Sequence, residues 1–237
     1  MDLSNENVIH IKTGKTDFLQ FRKLLEYKDK IAHAYSLGIK ENYRTSDGNE
    51  NAIENYRNLC EGIDCDYRNL IKTNQQHTDR VKIVEQKINV DKPDFNLEQY
   101  KNTDGLITNK RNKILATTNA DCILLLFWDP EKQVIANVHS GWRGTLQTIS
   151  IKTVEKMINQ FNCNPKDIIC CICPSIRKCH FEVEKDVKDL FYNKFKDLKE
   201  INQIIEEKEK NKKWVIDTVL INKVLLREIG LKEENII

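Results

Sequence analysis

The chain has 237 residues, 40% of them hydrophobic and 31% charged, enough for one domain with a sizeable core. Its 38 Lys and Arg against 36 Asp and Glu leave a formal net charge of +2, which gives no broad basic face for nucleic acid. The polar start from Met1 to Asn7 lacks a basic-then-apolar leader. The longest apolar stretch, Cys122 to Trp128, is far too short to span a bilayer. The expected location is therefore cytoplasmic, and the eight cysteines read as buried thiols, metal ligands or a nucleophile, not disulfides.

With 8 Gly and 4 Pro, no repeat and no linker, the sequence predicts a single domain over 1–237. In chain order, Asn51 to Gly62 is expected to be helical with Ile53, Leu59 and Cys60 inward, and Val81 to Ile88 extended. Gly105 to Asn109 and Ile114 to Thr118 are short β-branched runs. Cys122 to Trp128 and Gln133 to His139 are the strongest strands, joined by turn residues at Asp129-Pro130. Helical spacing of Leu146, Ile149, Val154, Met157, Ile158 and Phe161 predicts one helix from Leu146 to Phe161. A strand at Asp167 to Cys173 follows, then a helix from Asp186 to Phe195 with Val187, Leu190, Phe191 and Phe195 on one face. Glu206 to Lys213 reads as a solvated face or loop. A short strand at Trp214 to Ile216 precedes a helix capped by Asp217 and stopped by Gly230. The sum is a mixed α and β fold with helices on sheets.

A hairpin centred on Pro130–Glu131 sets Cys122 directly opposite His139, with Cβ atoms about 4.5–5.5 Å apart. Thr117 to Asp121 before the cysteine and Ser140 to Gly144 after the histidine place both at the open, polar end of the hairpin, where function tends to gather. A catalytic zinc site needs a third protein ligand and an open position. Of His10, His33, His77, His139 and His180, the candidate is His77, in the polar turn Gln75-Gln76-His77-Thr78-Asp79-Arg80.

Those segments together with Ala120-Asp121-Cys122, Val138-His139-Ser140-Gly141-Trp142-Arg143-Gly144, and Pro174-Ser175-Ile176 with Cys179 and Phe181-Glu182-Val183 carry a resemblance. From about Ile31 onward the chain resembles the YfiH, or laccase-domain, family, also called the polyphenol oxidase or purine nucleoside phosphorylase family. The resemblance implies an α+β fold in four αββα layers with mixed sheets. It implies one zinc on His77, Cys122 and His139. It also implies phosphorolysis of adenosine, inosine, guanosine or methylthioadenosine, with adenosine deamination. It further implies that the family's C-terminal strand lies beyond Ile237.

Zinc can bring a bound water's pKa near neutrality, which suits deamination, with Asp121 a candidate acid or base that strand alternation points away from Cys122. Arg143 is the candidate phosphate contact, since its fork matches phosphate oxygens. Copper oxidation is disfavoured: a multicopper site wants paired His-x-His motifs, and Met157, the one internal methionine available as an axial ligand, falls in a helix core pattern. The main rival is a cysteine hydrolase acting on an amide bond, with Cys122 as nucleophile and His139 as base. A structural zinc on Cys170, Cys171, Cys173 and Cys179 is the third reading. Its spacing lacks separated C-x-x-C knuckles, and neighbours on a strand face opposite ways, so buried thiols are expected there.

Overall fold

The apolar run after Cys122 shows no polar alternation, so a strand there must be covered on both faces. A computed structural model describes residues 2–38, 41–45, 50–85, 98–208 and 213–237. In chain order its elements are β1 (Val8–Lys12), β2 (Asp17–Phe21), α1 (Arg22–Leu25), β3 (Tyr35–Ser36), α2 (Glu50–Glu61), β4 (Leu70–Lys72), β5 (Val81–Ile83), β6 (Gly105–Thr108), β7 (Ile114–Ala116), β8 (Ile123–Asp129) and β9 (Val134–Ser140). There follow α3 (Trp142–Leu146), α4 (Ile149–Phe161), β10 (Ile169–Ile172), β11 (Glu182–Val183), α5 (Lys185–Phe195), α6 (Ile201–Ile204), β12 (Ile205–Lys208), β13 (Lys213–Ile216) and α7 (Thr218–Glu228).

The central sheet runs β10-β8-β9-β6-β5, antiparallel except between β5 and β6. One face of β8 presents Ile123, Leu125 and Phe127 to Ile149, Val154 and Met157 of α4 and Val219 and Leu226 of α7. The other presents Leu124 and Trp128 to Val8, Leu19, Phe21 and Leu24 of the N-terminal sheet β1-β2-β3 and α1. Helices α4 and α7, the central sheet and the N-terminal sheet thus pack on one another in that order. Smaller sheets, β11-β13-β12 and the parallel pair β4-β7, flank this centre. Cys170 faces the helical layer, whereas Cys171 and Cys173 face the N-terminal sheet. They are buried thiols on opposite faces, as alternation requires.

Several sequence expectations need correction. The helix from Leu146 to Phe161 is two helices, because Gln147 closes α3 on the Arg143 carbonyl and Thr148 turns left-handed at φ 58 before α4. Ile53 is 38% exposed, and Ala52 and Tyr56 join the expected Cys60 on the inner face of α2. Leu190 is 51% exposed, leaving Phe191 and Phe195 as the buried residues of α5. Residues 205–208 form strand β12, held by full pairing to β13, and Glu206 and Glu207 are exposed on it, so this part of the segment is a solvated face and not a loop; residues 209–212 lie outside the described residues. The strand expected over Val81 to Ile88 ends at Ile83, and its last three positions lie outside the described residues. The N-terminal hairpin β1–β2 had no counterpart in the sequence reading. Asp217 does cap α7, its Oδ1 accepting from the Leu220 amide at 2.8 Å, and Gly230 leaves the helix at φ +105. Among the described residues, no helix is long and apolar enough to cross a membrane.

The N-terminal sheet also holds a pH-dependent element. His33 Nε2 accepts the Phe21 amide at 2.7 Å, a bond only the neutral ring can accept. Burial pushes its pKa down to about 4 from an ordinary 6.5. A depressed histidine contributes stability above its unfolded pKa and loses it as pH falls. The melting temperature of the parent is therefore expected to fall between pH 6.5 and 4 more steeply than that of His33→Gln, whose amide oxygen accepts the same bond without titrating. Parallel pH profiles for the two would refute this role.

Candidate metal centre

The site begins with the β8–β9 turn. Asp129 Oδ1 accepts from the amides of Glu131 and Lys132, each at 2.9 Å, and Gln133 adopts φ 52. This makes a four-residue connection, Pro130 to Gln133, with Asp129 paired to Val134. The hairpin centre therefore lies one residue later than expected, and His139 faces Leu124, not Cys122. The register differs by two positions, an even number, so Cys122, just before β8, keeps the same face as Leu124 and His139. Diagonal neighbours of this kind remain within reach.

His77 is brought in from the loop between β4 and β5. The ligand atoms of His77, Cys122 and His139 all lie within 4.8 Å of one another. Cys122 Sγ is 3.9 Å from His77 Nε2, and the two imidazoles meet edge to face with centroids 5.0 Å apart. Sulfur and nitrogen on one tetrahedral zinc would stand about 3.6 Å apart, so the observed spacing needs only small side-chain adjustments. Gly141 explains how three side chains fit here. A Cβ at this position would lie 2.7 Å from His77 Cδ2 and 3.3 Å from both Cys122 Sγ and His139 Cε1. Its backbone, at φ −63 and ψ 170, is open to any residue, so glycine is required by space and not by conformation.

Asp104, which the sequence reading missed, organises the centre. It is fully buried, and its carboxylate accepts from His139 Nδ1 at 2.8 Å, from the amides of Gln76, His77 and Thr78, and from Thr78 Oγ1 at 2.7 Å. Three successive amides thus curl around one anion, and His77 is held in the left-handed region at φ 57. Burial works against ionisation of Asp104, but the bonds from His139 and Thr78 outweigh it and hold the carboxyl below its usual range. In the metal-free protein, burial likewise opposes charge on His139, yet Asp104 and Cys122 push it up to about 9. Burial, then the neighbouring His139, lower His77. Because Asp104 engages Nδ1, the Nε2 of His139 is left for a ligand, and the carboxylate fixes the ring's tautomer and orientation as is common for metal-binding histidines. The only local signal is an acidic residue just before Gly105 and an apolar strand, a pattern that does not by itself reveal a buried partner of His139.

The other candidates fall around this centre. Asn119 Nδ2 donates to the Cys122 carbonyl at 2.6 Å, and Gln75 bridges to Thr118 through its amide oxygen at 2.7 Å and its Nε2 at 2.6 Å. Asp121 is exposed, lines the adjoining cavity and accepts the Ile176 amide on its carbonyl. Arg143 is exposed and stacks on Trp142 at 4.1 Å, close enough for its charge to oppose protonation of His77. Trp142 packs toward α5 instead of lining the cavity. Met157 is fully buried in the helical layer, packed in the same core as Ile149 and Val154.

The donor set, two imidazoles and one thiolate with no fourth His, Cys, Asp or Glu joining them among the described residues, fits a catalytic zinc better than a closed structural one. Asp104→Asn is expected to lower zinc affinity about 10–100-fold in competition titrations with a chromogenic chelator. Gly141→Ala should lower it through crowding of His77 while leaving the unfolding transition near that of the parent. Unchanged zinc affinity in both variants would refute this account of the centre.

Residues 34–237 match the family described as multi-copper polyphenol oxidoreductase laccase. The purine nucleoside phosphorylase YlmD of Bacillus subtilis is 28% identical over 193 residues, covering 80% of this chain and 67% of that protein. The adenosine deaminase RL5 of an unknown prokaryotic organism is 28% identical over 179 residues, covering 74% of this chain and 65% of that protein. This chain thus spans about two thirds of the length of each. The crystal structure of the Bacillus licheniformis hypothetical protein YfiH superposes with a TM-score of 0.72 at 23% identity, over 99% of this chain and 85% of that one. The fold is therefore that of YfiH, and the chain belongs to the laccase-like family of multi-copper polyphenol oxidoreductase description.

Proposed function

We propose that this chain is a zinc-dependent purine nucleoside phosphorylase with adenosine deaminase-type activity, acting on adenosine, inosine, guanosine or methylthioadenosine. The observation that carries the reading is the convergence of the His77, Cys122 and His139 ligand atoms within 4.8 Å at a cavity of about 1740 Å³. The names of the relatives, purine nucleoside phosphorylase and adenosine deaminase, supply its chemical direction. All eight cysteines are free thiols, which suits a reducing, cytoplasmic setting.

Zinc bound there would supply Lewis acidity toward a water or substrate oxygen. The protein's part is positional. Asp104 fixes the tautomer and ring plane of His139 and pins the His77 backbone, so both nitrogens are aimed before substrate arrives. Asn119 fixes the carbonyl of Cys122. Arg143, beside His77, is the proposed substrate contact at the outer rim. In phosphorolysis a phosphate oxygen forms a bond to ribose C1′ as the bond from C1′ to the purine nitrogen breaks. The electron pair leaves with the base, which takes a proton from water.

One observation favours a second reading. Asp104 orients His139, whose ring nitrogen lies within 4.8 Å of the Cys122 sulfur, so orienting acid, base and nucleophile stand in the order of a cysteine hydrolase. Iodoacetamide separates the two, because a zinc-bound thiolate alkylates slowly and an activated free one quickly.

The decisive measurement is product chromatography after incubating the zinc-loaded chain with adenosine, with and without phosphate, beside Cys122→Ala. Adenine released by the parent only with phosphate is expected, with inosine formed without it, and neither by the variant. Absence of both products from the parent would overturn the nucleoside reading and move the hydrolase ahead.

A further inference from the structure

The side-chain bonds of Asp104 go to residues 76–78 and to His139, so the third ligand is placed by other groups. Cys122 ends an irregular stretch, residues 117–122, between β7 and β8. No strand ladder aims its sulfur, yet metal–ligand distances tolerate only about 0.2 Å of error. The parallel pairing of β4 with β7 runs to Lys72 opposite Ala116, and the Thr73 amide donates to the Ala116 carbonyl at 3.2 Å. Beyond that point the Gln75 side chain takes over. Its Oε1 accepts the Thr118 amide at 2.7 Å, and its Nε2 donates to the Thr118 carbonyl at 2.6 Å, the two bonds a peptide group would make. Turning the amide round would set N–H against N–H and oxygen against oxygen, which fixes its orientation. The buried Thr73 hydroxyl donates to the same Oε1 at 3.1 Å. Gln75 stands two residues before His77, and Thr118 four before Cys122; the sulfur and His77 Nε2 are then 3.9 Å apart. A second brace comes from β9. Asn137, two residues before His139, donates from Nδ2 to the Leu115 carbonyl at 2.8 Å and accepts the Thr117 hydroxyl at 2.5 Å. The Asp121 carbonyl, accepting the Ile176 amide, anchors the far end of the segment. Each pair of ligands thus has its own tie: Asp104 for the two histidines, Asn137 for the cysteine segment and β9, and Gln75 for the cysteine segment and the His77 loop.

We propose that Gln75 is the positioning residue for Cys122: its side-chain amide stands in for a peptide group and hangs the cysteine segment from the His77 loop, spacing thiolate and imidazole for one metal ion before the ion arrives. In this role Gln75 touches neither metal nor substrate. The inference rests on the metal-centre reading above. It separates Gln75 from Asp104, because losing Gln75 releases the sulfur while both imidazoles stay held.

The test is titration of the metal-free full chain with cobalt(II), whose thiolate-to-metal charge-transfer band reports the sulfur and whose visible d–d bands report the site as a whole. Gln75→Met keeps the volume and removes both main-chain bonds to Thr118. It is expected to bind cobalt about 10–100-fold more weakly, with the thiolate band weakened relative to the d–d bands. Thr118→Val removes only the hydroxyl contact to Gln75 at 3.3 Å and should match the parent. Amide hydrogen exchange in the metal-free protein distinguishes positioning from general loosening. In Gln75→Met the Thr118 amide should exchange faster, while those of Gln76, His77 and Thr78, still held by Asp104, should not. If Gln75→Met fails to fold, Gln75→Asn, one methylene too short to reach both Thr118 groups, takes its place. A thiolate band and a cobalt affinity equal to the parent's in the folded variant overturn the proposal and leave the metal centre standing. A parent spectrum without a thiolate band, or one unchanged by Cys122→Ala, overturns the centre itself and the positioning role with it.

Discussion

The centre depends on one buried carboxylate. Asp104 carries a negative charge where water does not reach, a costly arrangement unless every lone pair is used. Its partners are the amides of Gln76, His77 and Thr78, the Thr78 hydroxyl and His139 Nδ1. Its own main chain adds two bonds: the carbonyl accepts the His139 amide at 2.7 Å, and the amide donates to the Arg80 carbonyl at 3.0 Å. One residue thereby ties the His77 loop, the start of β6 and the end of β9 into a rigid unit. The strained φ of His77 is tolerable because three amides around one anion over-determine it.

The hairpin supplies the second constraint. β8 is apolar on both faces, and each face has its own core, so a one-residue slip would exchange the helical layer for the N-terminal sheet along the whole strand. A slip by two preserves the faces. This is why the longer turn set by Asp129 changes which residue opposes His139 without removing Cys122 from it. Gly141 follows β9 directly and stands beside both ligands, and its absent Cβ becomes the space for the third, His77.

Chemistry and packing are thus divided along the same strands. The interior of β8 and β9 faces α4 and α7 with aliphatic side chains, while their open end carries the ligands and merges with a cavity lined by the loops around β4 and β7. Loops built on a rigid sheet are where binding groups can be aimed without loosening the core. The buried network of Ser140, Thr145 and Asn222 extends this rigidity from the end of β9 through α3 to α7. It fixes the chain just beyond His139.

The amino-acid sequence by itself determined the strong strands, the Asp217 cap, the Gly230 stop and the placement of Cys122 and His139 on one face. Each is written in local residue chemistry: apolar runs, turn formers and period-two alternation. The motifs around His77, Cys122 and His139 likewise carried the family, because they are contiguous. Only the tertiary structure decided the exact register, since turn length depends on a side-chain bond from Asp129 that composition does not reveal. It also decided the break at Thr148, where helical periodicity continues across a left-handed residue, and the outward turn of Ile53 and Leu190, which neighbouring elements leave uncovered. The role of Asp104 was invisible for the same reason. Its partners lie far away in the chain, and a carboxylate acquires its function from the donors that folding sets around it.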